Sequence, residues 1–219
     1  MSCTHCLADN CFIKQSFNSN EIGTIENVKI KNNYKKDTAV FIEGGFVDGI
    51  YFICEGKVKI TSKGYNRKDH IVRLASNGHI LGHKGIGSET YPISAIVLEN
   101  SSICFIKNED LYKMFMMNPV FLYKITVYYA KELRLVESRL KYSSQMVLTE
   151  KVVEALLYVI NVFGINQKTK EINVYFTREE YSQIVGTNAE QISRALNQLK
   201  HEGIISLSGK KIIINQMES

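Results

Sequence analysis

Apolar and polar positions alternate in short segments between about residues 34 and 108, and glycine- or asparagine-containing turns separate the segments. Such alternation between turn residues is typical of antiparallel strands. We expect six strands, at 39–45, 49–56, 57–64, 70–76, 93–99 and 102–107. Strands of this length and spacing predict a small antiparallel roll or barrel.

A helical pattern follows the strands. Glycines stop after Asp110, and the only break in the pattern is Asn118-Pro119, where a proline suits the first turn of a new helix. Apolar residues then recur every three or four positions, which is typical of one helix face: Leu122, Ile125, Tyr129, Leu133, Val136 and Leu140. The stripe fits a helix packed on its own barrel, and it also fits a parallel coiled-coil seam between two chains.

The last third of the chain combines helices with short strands. We expect a helix at 149–163, a strand at 171–176, helices at 178–185 and 188–201, and strands at 204–207 and 211–214. The final two strands meet at Ser208-Gly209, which is a turn sequence. A helix-turn-helix followed by such a hairpin is the order of a winged helix-turn-helix.

The turn between the helices at 178–185 and 188–201 carries explicit local signals. Thr177 with Glu180 three residues later forms a capping-box sequence, Gly186 supplies a residue free to adopt a positive φ, and Asn188 suits a helix cap. The second helix buries one apolar side and presents a polar one. We therefore expect two helices that meet across a tight turn.

The polar side of the second helix predicts a DNA contact. Arg194 can bond guanine O6 and N7, Glu190 can accept a bond from a cytosine amino group, and Ser193 can add a weaker contact. The candidate DNA-binding residues are Thr177, Arg178, Asn188, Glu190, Gln191, Ser193, Arg194 and Lys210. The alternative is that they form an ordinary solvated helix face.

Composition and charge narrow the function only slightly. The 219 residues are 45% hydrophobic and 22% charged, which is ordinary for a globular protein. The net charge is +5, yet residues 146–219 hold eight basic and eight acidic side chains, so the charge alone does not identify a nucleic-acid partner. No apolar run approaches the ~20 residues of a membrane span and no signal peptide is visible, so we expect a cytoplasmic protein without membrane association.

The segments EQISRAL and LKHEGII and the Ser-Gly-Lys wing resemble the CRP/FNR superfamily of transcription regulators. The resemblance covers nearly the whole chain. It implies an α+β fold with a cyclic-nucleotide-binding-like jelly-roll barrel, a long dimerisation helix and a C-terminal winged helix-turn-helix. The corresponding regions are a cysteine-containing arm (1–20), an effector or sensor barrel (21–115), a dimerisation helix (116–145) and a DNA-binding domain (146–219).

The resemblance also implies partners. They are a second copy of the chain, double-stranded DNA with a palindromic operator, and RNA polymerase. Glu190 followed by Ser193-Arg194 is similar to the oxygen-responsive FNR-like branch, which reads TTGAT-type half-sites. The cyclic-AMP branch instead has glycine at the position of Ser193 and arginine at that of Ala189.

The effector pocket of the cyclic-AMP branch is only partly retained. Laid over the family pattern, Gly82 and Ser94 match, but His83 replaces the glutamate that holds the ribose and Ile93 replaces the arginine that pairs with the cyclic phosphate. Loss of the guanidinium removes a charge-assisted pair, and Lys84 is the only nearby cation in this run. Cyclic AMP is therefore disfavoured as the effector.

The cysteines suggest metal chemistry without fixing it. The resemblance implies a [4Fe–4S] cluster held by Cys3, Cys6, Cys11 and Cys104. Two alternatives stay open. One is a zinc site made by the three arm cysteines with His5 or Cys104, and the other is a loose arm with no metal. Cys54 lies in an apolar strand pattern, so we expect a buried core thiol there.

The sequence thus predicts a dimeric DNA-binding regulator that responds to a redox or gas signal and not to cyclic AMP. The alternative is a cyclic-nucleotide- or haem-binding sensor module that acts through protein contacts, with His79 and His83 as candidate haem ligands. No nucleophile–base pair, phosphate-binding loop or dinucleotide fingerprint is present, so an enzyme is not expected.

Overall fold

The computed structural model describes residues 3, 6, 8, 10–64 and 68–215. The chain divides into two compact units. The N-terminal unit comprises residues 1–62 and 75–137, and the C-terminal unit comprises residues 63–74 and 138–219. None of the helices formed by the described residues is long and apolar enough to cross a membrane.

Two four-stranded sheets form the β-roll. Their strands are β1 (Ile30–Tyr34), β2 (Ala39–Phe41), β3 (Gly49–Glu55), β4 (Val58–Lys63), β5 (Asp69–Ala75), β6 (Ile80–Leu81), β7 (Ser94–Val97) and β8 (Ser101–Lys107). The orders are β1–β8–β3–β6 and β2–β7–β4–β5. All six predicted strands are confirmed; four are shorter than predicted, β5 is shifted by one residue and β8 is one residue longer. β1 was missed because its sequence IKNNY is largely polar, and β6 because it has only two residues.

In the described residues, four α-helices complete the N-terminal part of the fold. They are α1 (Phe12–Ser16), α2 (Ser19–Val28), α3 (Asn108–Met117) and α4 (Pro119–Ser143). The predicted break at Asn118-Pro119 is confirmed. The Asn118 side-chain oxygen accepts a bond from the Phe121 amide at 3.0 Å, and its amide group donates to the Ser16 carbonyl at 2.9 Å. One side chain therefore begins α4 and joins it to the arm.

The apolar stripe of α4 is not one continuous seam. Ile125 is only 3% exposed because it packs in the core of the N-terminal unit, and Tyr129 packs against the same core. Leu133, Val136 and Leu140 are exposed, Leu140 to 70%. Of the two alternatives for the stripe, packing on the chain's own barrel therefore applies at Ile125, because its side chain is already buried within its own chain.

The C-terminal unit contains the second helical region. Its elements are α5 (Leu148–Phe163), α6 (Arg178–Val185), α7 (Ala189–His201), β9 (Ile205–Ser208) and β10 (Lys211–Ile214). β9 and β10 pair as an antiparallel hairpin. The winged helix-turn-helix prediction is confirmed, and α6 has the predicted bounds.

The strand predicted at 171–176 is wrong. Only isolated bridges occur there, between Ile165 and Ile172 and between Glu171 and Ile213. The Ile172 amide donates to the Ile212 carbonyl at 3.0 Å, whereas the next amide, that of Asn173, donates to the Gly164 carbonyl at 3.1 Å. Successive residues thus bond to different segments, and no continuous ladder forms.

The burial of Ile125 generates a stability prediction. Ile125→Ala should lower the free energy of unfolding by about 2–5 kcal/mol, because it leaves a cavity in a packed core. The control is Leu135→Ala on the same helix, where the side chain is exposed and the cost should be within about 0.5 kcal/mol. Urea titrations followed by circular dichroism measure both values. Equal costs for the two variants would contradict the assignment of Ile125 to the core.

Candidate functional site

The turn between α6 and α7 is fixed by side-chain caps. The Thr177 hydroxyl oxygen accepts a bond from the Glu180 amide at 3.1 Å, and the Glu180 carboxylate accepts one from the Thr177 amide at 2.9 Å. Gly186 has a φ of 80° and ends α6. Asn188 caps α7 by accepting a bond from the Gln191 amide at 2.9 Å. The predicted capping box and turn are confirmed, and the side chains of Thr177 and Asn188 serve as caps.

The two sides of α7 differ as the sequence predicts. Its buried side consists of Ile192, Ala195, Leu196 and Leu199. On the other side, the Arg194 guanidinium lies 2.5 Å from the Glu190 carboxylate, and these side chains are 76% and 72% exposed. Exposed pairs of this kind contribute only about 0.3–0.5 kcal/mol, so both groups are available to another partner.

The other candidate DNA-binding residues lie in three places. Ser193 is half-buried, and its hydroxyl donates to the Ala189 carbonyl at 2.8 Å, while Gln191 accepts a bond from the Thr187 hydroxyl. Arg178 lies in the first turn of α6 and is half-exposed. Lys210 is exposed at the tip of the β9–β10 hairpin.

The first two effector-pocket positions, Gly82 and His83, lie where the β-roll meets α4. Gly82, with a φ of 77°, precedes a short 3-10 turn at His83–Gly85. His83 is only 1% exposed, and its imidazole Nε2 lies 3.6 Å from the Glu132 carboxylate of α4. The Tyr129 hydroxyl of α4 donates to the His83 carbonyl. His83 therefore packs against α4.

Aromatic rings fill the interior of the β-roll. Phe41 stacks on Tyr91 at 4.2 Å between ring centroids and on Tyr51 at 5.5 Å, and Tyr51 contacts Phe105 at 4.8 Å. All four rings are buried, and burial raises the pKa of Tyr91 to about 12. This filling was not predicted from the sequence, because the four residues lie far apart along the chain.

The remaining effector-pocket residues and the candidate haem ligands also contact other parts of the chain. Ile93 packs against the cluster that contains these rings. The Ser94 hydroxyl already accepts a bond from the Glu43 amide at 2.9 Å. Of the candidate haem ligands, His79 accepts a bond from the Ser76 amide through Nδ1 at 3.2 Å, and His83 packs on α4. The Ser94 hydroxyl and the His79 Nδ1 atom thus each have a hydrogen-bond partner within the chain.

All five cysteines of the chain line a single cavity, which we call the thiol cavity. Cys3, Cys6 and Cys11 come from the arm, Cys54 from β3 and Cys104 from β8. Cys54 is buried, as expected of a core thiol. The sequence did not predict that it lies beside the other four cysteines. The missing information was the pairing of β3 with β8, which sets Phe52 opposite Cys104 and so puts Cys54 on the same face.

Hydrogen bonds and lysines organise the thiol cavity. The Cys54 and Cys104 sulfurs lie 3.1 Å apart, and the Lys29 ammonium lies 2.8 Å from the Cys3 sulfur. The hydrogen bond from Cys54 lowers the pKa of Cys104, and Lys29 lowers it further against the effect of burial. Burial raises the pKa of Cys11 to about 11. The thiols thus differ in acidity according to their neighbours.

The donor set of the thiol cavity suits a soft metal centre. Thiolates are the ligands of both iron–sulfur clusters and structural zinc. Within the described residues, however, no three His, Cys, Asp or Glu side chains already have metal-binding geometry, and the cavity volume is about 20 Å³. About 10–15 Å³ holds one water, so a cluster needs the cavity to open, whereas a single ion needs less change. His5, the other candidate zinc ligand, lies outside the described residues.

The arm itself is packed. Its residues Cys3, Ala8, Cys11 and Ile13 are buried in the core that also contains Phe52 of β3. The described part of the arm therefore differs from the loose segment that was one alternative.

Comparisons with known proteins agree with this fold. The model of the cyclic nucleotide-binding domain family matches residues 31–118, and that of the Crp-like helix-turn-helix domain matches residues 150–219. The anaerobic regulatory protein of Bacillus subtilis is 25% identical over 197 residues, which cover 86% of this chain and 82% of that protein. The cAMP-activated global transcriptional regulator CRP of Escherichia coli is 22% identical over 185 residues, covering 84% of this chain and 88% of that protein.

A solved structure shows the same fold at low identity. The c-di-GMP-responsive global regulator CLP of Xanthomonas campestris superposes with a TM-score of 0.78 at 19% identity, covering 91% of this chain and 100% of that chain. The first matched domain corresponds to the β-roll and the second to the winged helix-turn-helix, and the long helix α4 lies between them. The chain therefore belongs to the CRP/FNR superfamily, whose members are DNA-binding transcription regulators and not enzymes.

Proposed function

We propose that this protein is a homodimeric regulator that senses a redox or gas signal through its thiol cavity and does not respond to cyclic AMP. The convergence of five cysteines on one cavity carries the proposal. The ring-filled β-roll, with isoleucine at position 93 and His83 packed on α4, argues against a cyclic phosphate ligand. Similarity to a protein named for anaerobic regulation supports the same signal class, although another relative is named for activation by cAMP.

DNA recognition centres on Glu190 and Arg194. In the free chain the two side chains pair with each other at 2.5 Å. A guanine contact to Arg194 contributes about 1–3 kcal/mol of base discrimination, which exceeds the value of an exposed ion pair. The exchange of partners is therefore favourable, and it frees the Glu190 carboxylate to accept a bond from a cytosine amino group.

The DNA contact is tested by Arg194→Ala. We expect a loss of about 1–3 kcal/mol, roughly 5- to 150-fold in Kd, on a palindrome with TTGAT-like half-sites and little change on scrambled DNA. Fluorescence anisotropy at a fixed salt concentration measures both. Lys200→Ala is the charge-matched control, because Lys200 is exposed in the last turn of α7. An equal loss on both DNA sequences would refute base recognition by Arg194.

The exposed apolar residues of α4 support dimerisation. Leu133, Val136 and Leu140 recur at intervals of three and four on the half of α4 that does not enter the core. One recognition helix contacts only one half-site, and two half-sites lie ~34 Å apart on DNA. A pair of chains joined along α4 would present two copies of α7 to a palindromic operator.

Dimerisation is tested by the double variant Val136→Glu, Leu140→Glu. Charges at these positions should give a monomer that keeps its circular dichroism spectrum and loses operator binding, because burying unpaired carboxylates in a seam is unfavourable. Light scattering coupled to gel filtration gives the mass. Leu135→Glu is the control, since Leu135 is exposed on α4 but lies off the stripe. A monomeric unmodified chain on operator DNA would exclude the proposed seam.

An iron–sulfur cluster is the signal-responsive group that we propose, held by Cys3, Cys6, Cys11 and Cys104. Such a cluster supplies redox chemistry that is sensitive to oxygen. The chain's own contribution is electrostatic as well as coordinative, because Lys14, Lys29 and Lys31 line the same cavity and offset the negative charge of thiolates.

The arm links the thiol cavity to the dimer helix α4, because it carries three of the cysteines and contacts α4. The arm contacts α4 and the residue before it through two hydrogen bonds and two ring pairs: Asn118 with Ser16, Lys124 with Gln15, Phe12 with Tyr128 and Phe17 with Phe121. A group that holds Cys3, Cys6 and Cys11 would order the arm, and ordering the arm would favour one position of α4. Such coupling is typically worth about 1–3 kcal/mol.

The metal centre is tested by Cys→Ser replacement at each of the four positions. Protein purified without oxygen should contain iron and sulfide and absorb visible light. Each replacement should remove that absorption and weaken operator binding by about 5- to 150-fold. Cys54→Ser is the control and should retain iron. Zinc in place of iron would favour the structural zinc alternative. Iron-free protein whose operator binding is unchanged by replacing all four cysteines would refute the sensor.

A further inference from the structure

Cys54 and Cys104 lie side by side on neighbouring strands of one sheet. β3 and β8 are antiparallel, with Phe52 opposite Cys104, and the pairing shifts between Ile53 and Glu55 so that Cys54 falls in an irregular position. The two sulfurs are 3.1 Å apart, and both side chains are buried. The Cys54 thiol also interacts with the thiol of Cys6.

We propose that Cys54 and Cys104 are a reversible dithiol–disulfide pair in the metal-free chain. A disulfide bond is about 2.03–2.05 Å long, so the sulfurs need to approach by about 1 Å. Because Cys104 lies opposite Phe52, Cys54 is its diagonal neighbour, and the Cα atoms of such neighbours in a regular ladder are about 7–8 Å apart, beyond the 4.4–6.8 Å that most disulfides span. The disulfide therefore requires the backbone of β3 to shift towards β8 at the irregular position, in addition to side-chain rotation.

Hydrogen peroxide is the oxidant that converts the two thiols into a disulfide. One of the two sulfurs, as thiolate, attacks hydrogen peroxide and becomes a sulfenic acid with release of hydroxide. The second thiol then attacks that sulfur, the S–S bond forms, and water leaves. In total two thiols and one hydrogen peroxide give one disulfide and two waters. A small dithiol reverses the reaction by exchange.

The surroundings favour this pair over disulfides to the arm. The Cys3 sulfur lies 2.8 Å from the Lys29 ammonium, and Cys11 lies just before α1, which packs in the core. Cys6 is the nearest competitor, since it also interacts with Cys54. Cys54 and Cys104, in contrast, lie on neighbouring strands of one sheet, so their proximity does not depend on the position of the arm.

The pair has a consequence for metal loading that rests on the proposed function. A Cys54–Cys104 disulfide removes Cys104 from the four proposed cluster ligands and leaves three. Oxidised metal-free chain could then not complete the ligand set until it is reduced. The oxidation state of β3 and β8 would thus decide whether newly made or damaged protein can accept its cluster.

The pair is tested on the full chain after metal removal by chelation without oxygen. Addition of one equivalent of hydrogen peroxide should reduce the thiol count of the denatured protein from five to three, and dithiothreitol should restore it. Mass spectrometry of a non-reduced digest should identify a peptide linking Cys54 to Cys104. Cys54→Ser and Cys104→Ser should each fail to form this link, and a dimedone adduct should mark the sulfenic acid. Cys11→Ser is the matched control and should still lose two thiols.

Other outcomes separate the pair from the cluster. A Cys6–Cys54 link, a link between two chains or five surviving thiols would overturn the proposed pair. Reconstitution with iron and sulfide then tests the consequence, because the oxidised chain should take up iron only after reduction. If the Cys54–Cys104 disulfide forms but iron uptake is unchanged, the pair stands and the assignment of Cys104 as a cluster ligand fails.

Discussion

Phe121 and Ile125, at the start of α4, pack in one hydrophobic core with Phe17 of the arm and with strands β3 and β8. Fully burying such a side chain contributes about 1.5–3 kcal/mol, and the ring centroids of Phe17 and Phe121 lie 5.0 Å apart. These contacts therefore determine three features of the structure. They set the start of α4, the path of the arm and the place where the arm cysteines meet the sheet.

The features that the sequence predicted well are those decided by neighbours along the chain. The α6–α7 turn depends on Thr177, Glu180 and Gly186, which lie within ten residues, and its caps and bounds match the expectation. The break before Pro119 is equally local. Both cases combine a short-range hydrogen bond with a backbone preference, and the rest of the molecule need not be known.

The features that the sequence missed depend on contacts between distant segments. Cys54 joins the other thiols only because β3 pairs with β8 in one particular register, and a register is not visible in either strand alone. The apolar repeat of α4 likewise could not show that Ile125 faces its own core while Leu140 is exposed. For the cyclic-nucleotide pocket, the altered residues at 83 and 93 were visible, but the ring filling by Phe41 and Tyr91 required the folded barrel.

The ion pair on the recognition helix also bears on how the protein searches a genome. Arg194 is neutralised by Glu190, Lys211 on the wing lies 3.1 Å from Glu171, and residues 146–219 carry as many acidic as basic side chains. Attraction to arbitrary DNA grows with the number of phosphates that free cations neutralise. A reading domain without net positive charge is attracted only weakly to random DNA, and so more of the protein stays free to reach its operator.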